Sequence, residues 1–340
     1  MPVECLVPSL EGSQLSDCPQ APGTRGIITA LDRRVALERT AGRPDRIVEV
    51  HVLPTHHKMA TVGGQSVFYR EAGPSDAPVI VLLHGFPTSS HMFRHLIPEL
   101  ADQYHVIAPD HVGYGRSSMP TVDEFSYTFD HLAEITAGLL DGLGIRRFSI
   151  YVHDYGAPIG WRLAMDSSFE VTAIITQSGN AYMDGFAQPF WDDLFAYASS
   201  PGPDTEPGAR AKLTPETTRW QYENGVEDVS LVSQDGWNHD QQLLDRPGND
   251  EVQLALFRDY PTNVDGYPAL QEYFRSSQVP LLAVWGEGDD IFAPDGARAF
   301  ARDLPDADIH LLPTTGHFAL ETHVSAVSGY MHGFLGRLAA

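Results

Sequence analysis

"RFSIYVHDYGAPIGWRLA", residues 147–164, decides the fold. Its first half is a run of β-branched and aromatic residues that reads as a strand. Its second half has helical spacing, and Gly156 and Gly160 stand near the bend. A strand that turns sharply into a helix lifts one side chain above the edge of a sheet. Here that side chain is Asp154, between His153 and Tyr155. The usual form of such a turn is G-x-S-x-G, and Val152 takes the place of its first glycine. Aspartate is also favoured at helix N-caps. The turn alone therefore leaves two readings of Asp154, nucleophile or cap.

Similar strand-like runs lie on both sides. They are "APVIVLLHG" (77–85), "HVIAPD" (105–110), "VTAIITQS" (171–178), "VPLLAVWGEGD" (279–289) and a run within "ADIHLLPTTGH" (307–317). Helical patterns such as "FDHLAEITAGLLDGLG" (129–144) and "DGARAFARDL" (295–304) alternate with them. Near-continuous apolar strands alternating with helices predict an α/β fold whose mostly parallel sheet is covered by helices on both faces. "MATVGGQSVFYREAG" (59–73) predicts a first hairpin turning at Gly63-Gly64. The alternation stops over residues 180–269, which carry Trp191, Trp220 and Trp237 among helix-like pieces and Pro/Gly loops. That stretch predicts a helical cap over the carboxyl ends of the strands, where open α/β sheets bind ligands. The core is then 56–179 and 270–340. Residues 1–55 read as an N-terminal extension, partly disordered by composition.

Three more stretches bear on Asp154. "LLHGFPTSS" (82–90) follows the first central strand and offers the backbone N–H of Phe86, which with that of Tyr155 would make an oxyanion hole. "LLPTTGHFALETH" (311–323) places His317 after the last strand as a general base. "WGEGDD" (285–290) offers Asp289 or Asp290 to orient that histidine. The order nucleophile, acid, histidine is that of α/β-hydrolases.

The blocks "HGFPTSSHMFRHLIPEL", "APDHVGYGRSSMP", "VHDYGAPIGWRLA", "VWGEGDDIFAP" and "TTGHFALETH" resemble those of α/β-hydrolases with an aspartate nucleophile. That group includes haloalkane and fluoroacetate dehalogenases and epoxide hydrolases. The resemblance runs from about residue 60 to 335. It implies Asp154 as nucleophile, His317 as base and Asp289 as the acid, with Asp290 the lesser candidate. It also implies a covalent alkyl ester on Asp154, hydrolysed by water, with no metal or organic cofactor.

The resemblance leaves the substrate open among an epoxide, a haloalkane, and an ester, lactone or biosynthetic substrate. Haloalkane dehalogenases commonly carry Trp after the nucleophile and Asn or Glu after His-Gly, where this chain has Tyr155 and Phe86. Fluoroacetate dehalogenases carry arginines just after the nucleophile, where this chain has Tyr155 and Pro158. Epoxide hydrolases protonate the ring oxygen with cap tyrosines, one of them directly before an Arg at the end of the cap. "EYFRSSQVP" has Phe274 there, with Tyr273 one residue earlier. Tyr273, Trp191 and Trp220 are the candidate substrate contacts, with Tyr182, Tyr197, Tyr222, Tyr260 and Tyr267 behind them. An epoxide hydrolase acting on a small apolar epoxide is the expected activity.

Composition narrows the partners. The chain has 340 residues, 42% of them apolar, and a formal charge of −23. Lys58 and Lys212 are its only lysines. Such a charge opposes nucleic acid and anionic membranes, which need clustered cations. Cys5 and Cys18 make neither a disulfide framework nor a zinc pattern. No apolar stretch approaches the roughly 18–20 residues of a membrane span. "MPVECLVPSLEGSQ" lacks the basic and apolar regions of a signal peptide. A cytoplasmic monomer or homodimer with a small apolar organic substrate is expected.

Overall fold

The computed structural model describes residues 53–339 and, before them, the backbone of three strands. These are β1 (Ile27–Ala30), β2 (Arg33–Glu38) and β3 (Arg46–His51), paired antiparallel in that order. The rest of residues 1–52, Cys5 and Cys18 included, lies outside the described residues, and with it the expectation of disorder there. Residues 1–52 are one compact unit and 53–340 another.

The larger unit is built on eight strands. They are β4 (His56–Val62), β5 (Gln65–Ala72), β6 (Val79–Leu83), β7 (His105–Pro109), β8 (Arg147–His153), β9 (Glu170–Gln177), β10 (Leu281–Gly286) and β11 (Asp308–Leu312). Their order across the sheet is β11-β10-β9-β8-β6-β7-β5-β4. From β7 to β11 every neighbouring pair is parallel, and β4 and β5 join antiparallel at the other edge. Val62 pairs with Gln65, so Gly63 and Gly64 make the two-residue turn. Their φ angles of +55° and +81° are those of the hairpin turns that match strand twist.

The strands are apolar throughout because both faces are covered. Val81 and Leu83 of β6 pack on one face, with Leu132 and Leu139 of helix Phe129–Gly142 and Ile159 and Leu163 of helix Gly156–Met165. Ile80 and Leu82 pack on the other, with Val327, Met331 and Leu335 of helix Ala319–Leu338. Helix Phe129–Gly142 begins where the Thr128 side chain accepts the His131 N–H, and its buried residues recur at helical spacing.

Between β9 and β10 the chain forms seven α-helices and no strand of the sheet. The expected boundary at 269/270 falls inside the last of them, Tyr267–Ser277. That helix continues because Leu270 and Phe274 bury its inner face, and it stops where Gln278 turns left-handed, with φ +48°. No helix of the described residues is long and apolar enough to cross a membrane.

The sheet positions the site by reversing direction. β7 lies on one side of β6 and β8 on the other. The loops leaving β6 and β8 therefore open a crevice at their carboxyl ends. Helix Gly156–Met165 starts hard against that crevice. A Cβ on Gly156 would lie 2.2 Å from the Leu83 carbonyl oxygen. Gly156→Ala should cost about 1–3 kcal/mol in a urea melt. Gly142→Ala, whose Cβ would meet nothing within 4 Å, should change stability by no more than about 1 kcal/mol.

Candidate active site

β8 ends at His153, and Asp154 follows with φ +49°. A non-glycine residue in this region stores strain of order 1–3 kcal/mol. The loop after β6 closes over it. A Cβ on Gly85 would lie 2.3 Å from the Asp154 Cβ, so only glycine lets the loop pass. The approach aims two backbone donors at one oxygen. Asp154 Oδ1 accepts the Phe86 and Tyr155 N–H groups, each at 2.6 Å. Short bonds of this kind are the stronger, charge-assisted class. Asp154 Oδ2 lies 3.9 Å from His317 Nε2, beyond direct hydrogen-bond reach.

His317 stands after β11, and its Nδ1 is 3.0 Å from Asp289 Oδ2. Asp289, after β10, is buried and well supplied with donors. Its Oδ1 accepts the N–H groups of Ile291 and Phe292, at 2.9 and 3.0 Å, and its Oδ2 accepts the Ser178 hydroxyl at 2.7 Å. Asp290, the alternative by sequence, is exposed and accepts from the Asn224 amide at 3.0 Å. The His317 carbonyl is held by the Gln177 amide at 2.9 Å and the His153 ring at 3.1 Å. Among the described residues, nothing hydrogen-bonds the buried His317 Nε2. That nitrogen is positioned to take a proton beside Asp154.

Burial raises the Asp154 carboxyl to about 6, against the opposing pull of His317 and the two N–H bonds. Burial pushes His317 down, but the Asp289 carboxylate outweighs it and the imidazole ends above its ordinary value.

The remaining candidates divide. Trp191 packs 4.4 Å from Tyr260 and 5.1 Å from Phe292, whose ring is 6.2 Å from His317. The Trp191 indole N–H is taken by the Ile291 carbonyl at 2.8 Å. Trp220 stacks on Phe190 in a separate cavity of about 400 Å³ shared with Lys212 and Asp290. Tyr273 is not brought to Asp154, His317 or Asp289 among the described contacts. Its ring lies beside Phe274 and its hydroxyl pairs with Ser277. Phe274 points into the core between Trp161 and Phe300, and neighbours on a helix diverge by about 100°.

Tyr260 is the tyrosine of the helical insertion that reaches the site. Its ring is 5.8 Å from that of Tyr155, and its hydroxyl pairs with Tyr267. Tyr182 and Tyr222 are committed elsewhere, to Asp303 and Asp240. Ser178 and Gln177 were not singled out by sequence. Both stand at the carboxyl end of β9, and that placement is the one signal that could have found them.

The comparisons with known proteins fit this arrangement. Residues 78–324 match the family model described as alpha/beta hydrolase fold. The chain belongs to that family. An uncharacterized hydrolase of Saccharomyces cerevisiae is 42% identical over 283 residues, 82% of this chain and 96% of its own. Epoxide hydrolase A of Mycobacterium tuberculosis is 43% identical over 109 residues, 32% of this chain and 34% of its own. The crystal structure of a haloalkane dehalogenase from Bradyrhizobium elkani superposes with a TM-score of 0.69 at 25% identity, covering 84% of this chain and 99% of that one. This α/β-hydrolase is thus an enzyme with dehalogenase and epoxide hydrolase relatives. No group of three or more His, Cys, Asp or Glu among the described residues could hold a metal ion.

Asp289→Asn should lower the His317 pKa, because burial is then opposed by the smaller effect of Asp154 alone. Histidine ring NMR across a pH series reads this directly. A His317 pKa unchanged in the variant would show that Asp289 does not set it.

Proposed function

We propose that this α/β-hydrolase opens a small apolar epoxide through a covalent ester on Asp154, beneath a cap formed by the helical insertion. Asp154 Oδ2 is the attacking oxygen, since Oδ1 is held by the Phe86 and Tyr155 N–H groups. In the ester, Oδ1 becomes the carbonyl oxygen, already inside its hole. His317, oriented by Asp289, then takes a proton from water, and the hydroxide adds to the ester carbon. The two N–H groups stabilise the oxyanion that forms. Collapse releases the diol, and the water oxygen stays in the Asp154 carboxyl.

The observation that carries the epoxide reading is the kind of donor beside Asp154. A departing halide needs N–H donors. Trp161, Trp191 and Trp285 give theirs to the carbonyls of Asn180, Ile291 and Phe292. Phe86 presents an apolar ring, 5.9 Å from Tyr155 and 5.7 Å from Phe257. The charge of Asp154 acts on the phenols of Tyr114, Tyr155 and Tyr260, and a phenol is suited to hydrogen-bond a ring oxygen. The substrate fits as a small apolar organic molecule, and no cofactor enters any step.

A single turnover of an aryl epoxide in oxygen-18 water should place the label in Asp154, read by mass spectrometry of the peptide containing it. An unlabelled Asp154 after turnover would end the covalent mechanism. His317→Gln should still form the ester but slow its hydrolysis by about 10²–10⁴-fold, so that the alkylated protein accumulates. Diol formation from epoxides, against halide release from brominated alkanes, separates this reading from dehalogenation. The attack requires the ionised carboxylate, so kcat/KM for the epoxide should fall as pH drops through about 6, the value at which Asp154 takes up its proton. An acid limb near pH 4 would contradict that assignment.

A further inference from the structure

Resting on the epoxide reading, one group near Asp154 has no role yet. The Tyr155 hydroxyl is buried and finds no hydrogen-bond partner among the described residues. Buried hydroxyls nearly always have one. Other buried tyrosines in this protein do. Tyr114 donates to Gln253 at 2.6 Å, Tyr127 to the Pro120 carbonyl at 2.7 Å, and Tyr151 to Gln177. Leaving a buried hydroxyl unpaired is destabilising. Phenylalanine would avoid that cost while filling the same aromatic niche between Phe86, Phe129 and Tyr260.

We propose that Tyr155 is a catalytic residue, the acid that gives its hydroxyl proton to the epoxide oxygen as the ring opens. Its place supports this. Tyr155 follows the nucleophile directly, its ring is tilted 40° to Tyr260 at 5.8 Å, and the charge of Asp154 acts on its hydroxyl. Two phenols so arranged can converge on one oxygen. The Tyr260 hydroxyl is already shared with Tyr267, whereas that of Tyr155 is uncommitted. Burial, then the neighbouring Tyr114 and Asp154, keeps the Tyr155 phenol protonated far above neutral pH. The position before the terminal Arg of the insertion, where epoxide hydrolases carry their second tyrosine, holds Phe274 packed in the core. Tyr155 supplies from the core what that position cannot.

The proton balance closes. Asp154 Oδ2 bonds to an epoxide carbon, the carbon–oxygen ring bond breaks, and its electron pair takes the proton from Tyr155. In the second step water gives one proton to His317 and adds as hydroxide to the ester carbon. The expelled alkoxide takes the proton from His317. Asp154 is left as a carboxylic acid and returns its proton to the Tyr155 phenolate, which resets both groups.

Tyr155→Phe keeps the backbone N–H of the oxyanion hole and removes the hydroxyl alone. Rapid quench with an aryl epoxide should show ester formation slowed by about 10²-fold. Hydrolysis of the ester, once formed, should proceed at the wild-type rate, and thermal stability should be equal or higher. A merely structural role would slow both steps, because both use the hole. Ester formation within about threefold of wild type, or a matched loss in both steps, would overturn the proposal. As a second measurement, 3-fluorotyrosine at position 155 preserves the ring and makes the hydroxyl more acidic. The alkaline loss of ester formation should then move to lower pH, and an unmoved limb would equally overturn it. Failure of the wild-type protein to form any ester would instead sink the parent reading.

Discussion

Two backbone N–H groups closing on one carboxylate oxygen organise this molecule. Asp154 Oδ1 is gripped from one side by Phe86, at the end of β6, and from the other by Tyr155, at the start of a helix after β8. Neither donor can be aimed without the left-handed φ of Asp154, and that angle is unfavourable for an aspartate. It persists because the surroundings allow nothing else. Gly85 lies against the Asp154 Cβ and Gly156 against the Leu83 carbonyl. The adjacency of β6 and β8 is therefore a condition of the site as well as a feature of the sheet. Only where the strand order reverses do two carboxyl-end loops leave in opposite directions and face each other.

The same crevice separates two buried carboxylates into different states. Asp289 accepts from two backbone N–H groups, from Ser178 and from His317. Asp154 accepts two bonds on one oxygen and none on the other, and burial lifts its pKa to about 6. Environment thus makes one carboxylate a fixed partner of the imidazole and leaves the other with an uncommitted oxygen. The histidine between them is held on its main chain as well. Gln177 and His153 both bond its carbonyl, so the imidazole swings little relative to β8 and β9.

Much of this was legible in the sequence because it is local. The strand runs, the Gly63-Gly64 hairpin and the strand–Asp–helix turn each follow from periodicity and turn chemistry within a dozen residues. Strand order across the sheet was not legible, because it depends on which runs pair after the crossovers form. The residues alone left Asp289 and Asp290 open and only the family resemblance favoured Asp289, because the choice depends on which side chain the loop after β10 turns inward, a matter of the Ile291 and Phe292 N–H groups. Ser178 was invisible for the same reason. Its hydroxyl meets Asp289 only after β9 and β10 have paired. The insertion is helical, but helical spacing does not say which tyrosine packs against Tyr155. Tyr273 stood nearest to the expected motif and lies beside Ser277, while Tyr260, with no local signal, packs against Tyr155.

The donors around Asp154 also bear on the proposal of an epoxide substrate. A halide leaves as a free anion and must be held by donors that keep their protons, then escape through a protein whose formal charge is −23. An epoxide oxygen never leaves the carbon skeleton. It needs one proton at the moment the ring opens, and the neutral alcohol that results needs no anion site. Indole and backbone N–H groups serve the first demand, because their acidity is too low to part with a proton. Phenols serve the second, since they hydrogen-bond the ring oxygen and can also transfer the proton. Here the indole N–H groups of Trp161, Trp191 and Trp285 are turned to backbone carbonyls and the backbone N–H pair is held by Asp154. The phenol rings of Tyr155 and Tyr260 lie together beside Asp154, and the proposed epoxide is the substrate whose leaving oxygen such groups would serve.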